Sequence, residues 1–179
     1  MANIYCTKKL EKLLGKQLIM SEQLPNDDFG NWNAHLFTLN RRKCVIMVND
    51  VTYYSLIFLD VLKKDLMNFQ NLFYQRLTEQ LAYDEIVFPE PLVSRISEYC
   101  RPNFLATNNN RKVLGTIKEF IYMVKYTFEI NCDANFNNVD ILHLNHILTT
   151  YLVGAIDTKK GEYGRPIEEM KNLLDRVCL

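Results

Sequence analysis

The sequence predicts an α+β fold, with a small, mainly antiparallel sheet (an N-terminal strand plus a meander) covered by helices. Two observations lead to this. The stretch "NAHLFTLNRRKCVIMVND" (33–50) and the following "TYYSLIFL" (52–59) are dense in β-branched and aromatic residues and are punctuated by turn formers. Later in the chain, apolar residues recur at spacings of three and four, as the buried stripe of a helix requires.

Ile4 to Cys6 is the first short strand. Thr7 then suits a helix N-cap through its hydroxyl, Leu10, Leu13 and Leu14 follow at helical spacing, and Gly15 suits the left-handed residue past a helix end. "SEQLPNDDFGN" (21–31) concentrates turn residues and reads as a loop. Ala34 to Leu39 and Cys44 to Val48 form two strands around the basic turn Asn40 to Lys43, and Asn49 and Asp50 turn the chain into the third strand, Thr52 to Leu59.

From Asp65 onward, Leu66, Phe69, Phe73, Leu77 and Leu81 define an amphipathic helix. "FPEP" ends it, because neither Pro89 nor Pro91 donates a backbone hydrogen bond and each restricts its predecessor, and a second helix runs from Pro91 to about Tyr99. "RPNFLATNNNR" is a loop on composition. Val113, Ile117, Phe120, Ile121, Val124 and Phe128 share one face of a long helix, and Asn131 to Asn138 is a polar break. Val139 to about Ala155 reads as a helix with strand-like residues near its end. "TKKGEYGRP" is a linker, and Ile167 to Val177 is a closing helix behind Pro166.

At 179 residues, with 48% hydrophobic and 23% charged residues, the chain is expected to form one globular domain over 1–179. Its formal charge of +0 removes the general electrostatic argument for nucleic-acid binding, so any such binding needs a local patch. No apolar run approaches the roughly 18 residues of a membrane span. The N-terminus turns polar at Thr7, Lys8 and Lys9, so a soluble, cytoplasmic protein is expected. The five cysteines (Cys6, Cys44, Cys100, Cys132 and Cys178) are odd in number, widely spaced and without a C-x-x-C pair, which predicts reduced, mostly buried thiols. No metal and no cofactor is expected.

The stretches "IYCTKKL", "WNAHLFTLNRRKCVIMVND" and "RKVLGTIKEF", with "LHLN" and "GRPIEEMKNLL" matching more loosely, resemble a conserved bacterial and phage domain family of unknown function, DUF6933-like. The resemblance spans most of the chain and is most specific in the second stretch. It implies a shared fold, a meander with surrounding helices, and transfers no catalytic residue. The family's "LN" tends to be followed by Pro, whereas here Leu144 and Asn145 lead into "HILTTYL".

Three residue groups carry potential chemistry. His143 and His146 sit three apart, so both imidazoles can share a helix face, with Asp140 one turn earlier and His35 in the hairpin. A metal site needs three or four converging ligands, and no H-E-x-x-H spacing is present. Cys6, before a helix start and beside Lys8 and Lys9, is the one cysteine whose setting resembles that of an activated thiolate, although a strand-end cysteine is more often a small buried hydrophobe. The basic set carries more weight. Lys8, Lys12 and Lys16 lie four apart on the first helix, Arg41, Arg42 and Lys43 crowd the hairpin turn, and Arg111 and Lys112 extend the set. Brought together they make a positive patch for phosphates or an acidic protein surface, and kept apart they are solvated faces and a blunted hairpin. Trp32, Tyr53 and Tyr54 offer stacking surfaces; adjacent strand residues point to opposite faces, so one tyrosine, taken as Tyr54, is expected to face solvent or a partner.

The functional expectation is a non-enzymatic binding or inhibitory protein acting on a protein or nucleoprotein target, including RNA, through Lys8, Lys12, Arg41, Arg42, Lys43 and Tyr54. The resemblance to a family carried by mobile elements narrows it to an anti-defence, anti-CRISPR-like protein. The alternative is an RNA-processing enzyme, a nuclease in which the basic residues stabilise phosphate charge and His143 or His146 transfers protons. A histidine within hydrogen-bonding reach of the basic patch, in a shared cleft, separates the two.

Overall fold

The computed structural model describes residues 1–15, 22–87, 90–156 and 163–177. The expected meander is present: β2 (Trp32–Leu39), β3 (Arg42–Asn49) and β4 (Ser55–Phe58) pair antiparallel in sequence order. Leu39 pairs with Arg42, so the turn between β2 and β3 is only Asn40 and Arg41, with φ of 38° and 66°. Positive φ at both central residues is the signature of a primed two-residue hairpin turn, which matches strand twist. The next turn is built by Asn49, whose side-chain oxygen accepts from Val51 N, Thr52 N and Thr52 Oγ1 while its amide donates to Phe29 O.

The sheet departs from expectation on its other side. β1 (Ala2–Cys6) pairs parallel with β2 and also parallel with β5 (Pro102–Ala106), giving the order β4-β3-β2-β1-β5. The sheet is therefore mixed, with antiparallel pairing confined to the meander, and part of the stretch taken as a loop is a strand. Pro102 fits because it opens an edge strand, where no inner ladder bond is lost. All of β1 is buried, as an inner strand covered on both faces should be.

Helices cover both faces. On one lie α1 (Lys8–Leu14), α3 (Phe69–Tyr83), α4 (Glu90–Tyr99) and α7 (Pro166–Val177), whose buried residues join Ile4, Trp32, Met47 and Phe58 in one core. α2 (Lys63–Met67) precedes α3 and packs beside α1; Asn68 separates what the sequence reads as a single helix. On the other face α5 (Arg111–Ile130) and α6 (Ile141–Thr149) cover Phe37, Ile46, Val48 and Ile57. The predicted helix over 139–155 is shorter: a 3₁₀ turn at Phe136–Asn138 precedes α6, and Val153 instead forms an isolated bridge with Gly164. Pro89, Lys16, Cys178 and most of the linker after Ala155 lie outside the described residues.

Candidate functional site

The topology sorts the basic residues by sheet face. Side chains alternate along β3, so Lys43 lies with Val45 and Met47 on the α1 side, while Arg42 lies with Cys44 and Ile46 on the α5 side. Arg42 is also engaged: its guanidinium pairs with Asp60 at 3.0 Å and sits 4.5 Å above the Phe136 ring. Arg41 occupies the hairpin tip. Lys43 gains neighbours that the sequence did not indicate. Val61 N donates to Lys43 O at 2.7 Å, which brings Lys63 and Lys64 at the start of α2 to the same end of the sheet. Because α2 packs against α1, exposed Lys8 and Lys12 lie on the same side of the sheet as Lys43, Lys63 and Lys64. Nearby carboxylates point elsewhere: Asp60 to Arg42, Asp65 to Leu62 N at 2.8 Å, and Glu11 to Thr107 N at 3.4 Å. β1 and β5 are parallel, so Arg111 and Lys112, which open α5, are also at the carboxyl end of β1.

A second cluster forms at the opposite end of β4. The Asp84 carboxylate, with its side chain 0% exposed, accepts from Tyr54 Oη at 2.5 Å, Gln80 Nε2 at 3.1 Å and Thr149 Oγ1 at 3.1 Å. His146 Nδ1 completes the set at 2.7 Å. His146 is 36% exposed and stacks edge-on to Tyr83, whose hydroxyl lies 3.3 Å from His143 Nδ1. The cluster therefore holds an imidazole by one nitrogen against a buried carboxylate and leaves the ring's other side toward solvent, an arrangement that orients a base. Asp140 is not part of it: its carboxylate caps α6 by accepting from Leu142 N and His143 N. Among the described residues no three ligands converge as a metal site.

Tyr54, the tyrosine expected to face solvent or a partner, is buried, and so is Tyr53. Tyr53 is 6% and Tyr54 0% exposed, and burial together with Asp84 holds the Tyr54 phenol well above its ordinary range. Tyr54 is therefore not a surface ligand-binding ring. Strand alternation fails here because the strand starts at Ser55, three residues after the expected Thr52, and Tyr53 has positive φ in the turn. Trp32 is likewise internal, donating to Tyr99 Oη at 2.6 Å. Cys6 is fully buried, and burial followed by Glu11 raises its thiol far above the range of a reactive thiolate. Burial also pushes Cys100 up to about 12.

The basic corner and the histidine cluster sit at opposite ends of α3, whose 15 residues span about 22 Å. His143 and His146 therefore do not share a cleft with Lys43. His35 is different. It is half-buried on the α5 face, and burial, then Lys9 and Lys118, lower its basicity. Asp84, Tyr83, Lys63 and Lys64 escaped the sequence reading because their partners are supplied by tertiary packing; Asp84 and His146 are 62 residues apart.

No helix among the described residues is long and apolar enough to cross a membrane. No curated protein and no solved structure matches the chain. Residues 3–169 match the profile of DUF6933, a domain of unknown function, and the chain belongs to that family.

Proposed function

We propose that the protein binds an anionic partner, a protein or nucleoprotein target, through the corner formed by α1, the β2–β3 hairpin and α2. The observation that carries this reading is the placement of exposed Lys8, Lys12, Lys43, Lys63 and Lys64 on one side and at one end of the sheet, while the neighbouring carboxylates are turned to other partners. Clustered ammonium groups contact phosphates or an acidic surface through solvent-exposed, salt-sensitive attraction. The hairpin tip adds support. Arg41 there is exposed and holds a left-handed backbone conformation, so its side chain adds a solvent-facing cation next to Lys43 in sequence. Inhibition of a host-defence nucleoprotein is the narrower form of this reading and rests on the family resemblance alone.

Fluorescence anisotropy with a labelled single-stranded RNA and, separately, a labelled poly-glutamate peptide tests it. The wild type should bind at least one probe at low salt, with affinity falling as salt rises. Replacing Lys8, Lys12, Lys43, Lys63 and Lys64 by Gln should weaken binding more than tenfold with the unfolding midpoint preserved. Absence of binding to both probes, or binding indifferent to the replacements, removes the reading.

The Asp84–His146 pair favours a second reading, an RNA-processing enzyme in which His146 is the general base. Asp84 fixes the ring with Nδ1 protonated, and His143 beside Tyr83 is a second proton-transfer group. RNA incubated with wild type and with His146→Gln decides it: cleavage must be present in the first and lost in the second.

A further inference from the structure

A separate polar cluster lies under α5 on the parallel half of the sheet. Tyr5 pairs with Asn33 across β1 and β2, and Thr7 N donates to Ala34 O at 3.0 Å, which sets Thr7 opposite His35 in the next parallel step. The four side chains fall on one face, the α5 face shared with Phe37. Buried polar groups of this kind on the inner strands call for hydrogen-bond partners.

Several are missing. Asn33 is 1% exposed, and neither its amide nitrogen nor its amide oxygen has a partner among the described residues. The Thr7 hydroxyl is also buried and unpartnered; Thr7 occupies the N-cap of α1 but makes no side-chain capping bond, contrary to the role its position predicts. By contrast the neighbouring asparagines on β1 and β5 are satisfied, Asn3 by Leu24 and Asn31 and Asn103 by Asn3. His35 is the half-buried member, with Lys9 and Lys118 acting on it. Glu11 is engaged with Thr107 N, and Asp50, which acts on Tyr5, is tied to Asn31 by two bonds.

We propose that this cluster is a binding site for a small phosphate-bearing ligand, free phosphate or a phosphate monoester, entering past His35 to reach Thr7 and Asn33. The unpartnered set decides the chemistry. Asn33 Nδ2 and the Thr7 hydroxyl offer donors, and Asn33 Oδ1 demands one, so the ligand must carry both acceptor oxygens and an O–H. A monoanionic phosphate has both, whereas a carboxylate brings no donor. Exposed Lys9 and Lys118, whose charges act on His35 at the entry, are the nearest identified source of positive charge. The site also lies at the carboxyl ends of the parallel strands β1 and β5, where open sheets place their ligand crevices, and beside the start of α5.

The test titrates the full chain with inorganic phosphate, a nucleoside monophosphate and, as an anion control, acetate, following binding by calorimetry and the His35 ring resonances by NMR. Saturable binding of phosphate or the monophosphate, stronger than acetate by at least tenfold, is expected. A tighter monophosphate identifies a monoester site; equal affinity identifies a phosphate site. Asn33→Leu should abolish binding and Lys118→Met weaken it severalfold. Should Asn33→Leu fail to fold, Thr7→Val, which keeps the side-chain shape, should weaken binding at least fivefold. No saturable phosphate or monophosphate binding by folded wild type, or binding unchanged in Lys118→Met and in a folded Asn33→Leu or Thr7→Val, overturns the proposal and leaves the polar atoms to a buried water.

Discussion

The two ends of β4 use polar residues in opposite ways. At its carboxyl end, Lys43, Lys63 and Lys64 stand in solvent with Lys8 and Lys12 from α1, and the ion pair of Arg42 with Asp60 joins side chains 52% and 51% exposed. At its amino end, Tyr54, Gln80, Thr149 and His146 converge on one fully buried carboxylate. Exposed charges interact through water and contribute little to folding, so their arrangement is free to serve binding. A buried carboxylate is different, because each donor withdrawn leaves it partly unsolvated. Polar clustering at one end is therefore separable from stability, whereas at the other it is bound up with it.

The largest expected effect breaks the buried end. Asp84→Ala leaves the Tyr54 hydroxyl without an acceptor and takes one from Gln80 and Thr149, which keep Leu142 O and His146 O, and is expected to lower stability by roughly 1–3 kcal/mol for each donor left unpaired, measured by urea unfolding. A loss below about 1 kcal/mol, the size of an ordinary surface change, erases the contrast between the two ends. Next comes the half-buried His35. Its folded-state basicity is depressed by burial and by Lys9 and Lys118, so the unfolded chain binds the proton more readily. Stability should therefore fall as pH drops below about 6.5, the unfolded value, and His35→Gln should flatten that slope. A wild-type stability curve without this decline, or a decline that His35→Gln leaves intact, refutes the assignment.

A smaller effect sharpens the exposed end. Arg41→Gly relieves a left-handed backbone and should raise stability by up to about 1 kcal/mol while weakening partner binding. An opposite shift in stability identifies the arginine side chain as structural. The smallest is Arg42→Ala, which removes a solvent-exposed ion pair and should change the unfolding midpoint by less than the equivalent of about 1 kcal/mol. Its place over Phe136 makes a larger loss the sign that packing, and not charge, holds it there.

What the sequence disclosed follows the range of the interactions. The meander was legible because its pairing is local: β-rich runs, a two-residue turn and Asn49 encode it within about 25 residues. β5 was hidden because "PNFLA" is short, bounded by Asn-rich sequence, and becomes a strand only by pairing with β1 about 100 residues away, as Asn3 with Asn103. The basic helix and hairpin tip were visible, but not that β3 alternation sends Lys43 and Arg42 to opposite faces, nor that the Val61 to Lys43 bond draws α2 alongside. Tyr54 was misplaced for the same reason: its hydroxyl is drawn inward by an aspartate 30 residues later.

The measurement that tests the central claim most directly pairs binding and stability in one protein. The variant carrying Lys8, Lys12, Lys43, Lys63 and Lys64 replaced by Gln is compared with wild type for affinity to labelled RNA and poly-glutamate across a salt series, and for its urea midpoint. The account predicts a midpoint within the equivalent of about 1 kcal/mol of wild type together with a loss of more than tenfold in low-salt affinity and a shallower salt slope. An unfolded variant, or a folded one that retains wild-type affinity and salt slope, contradicts it.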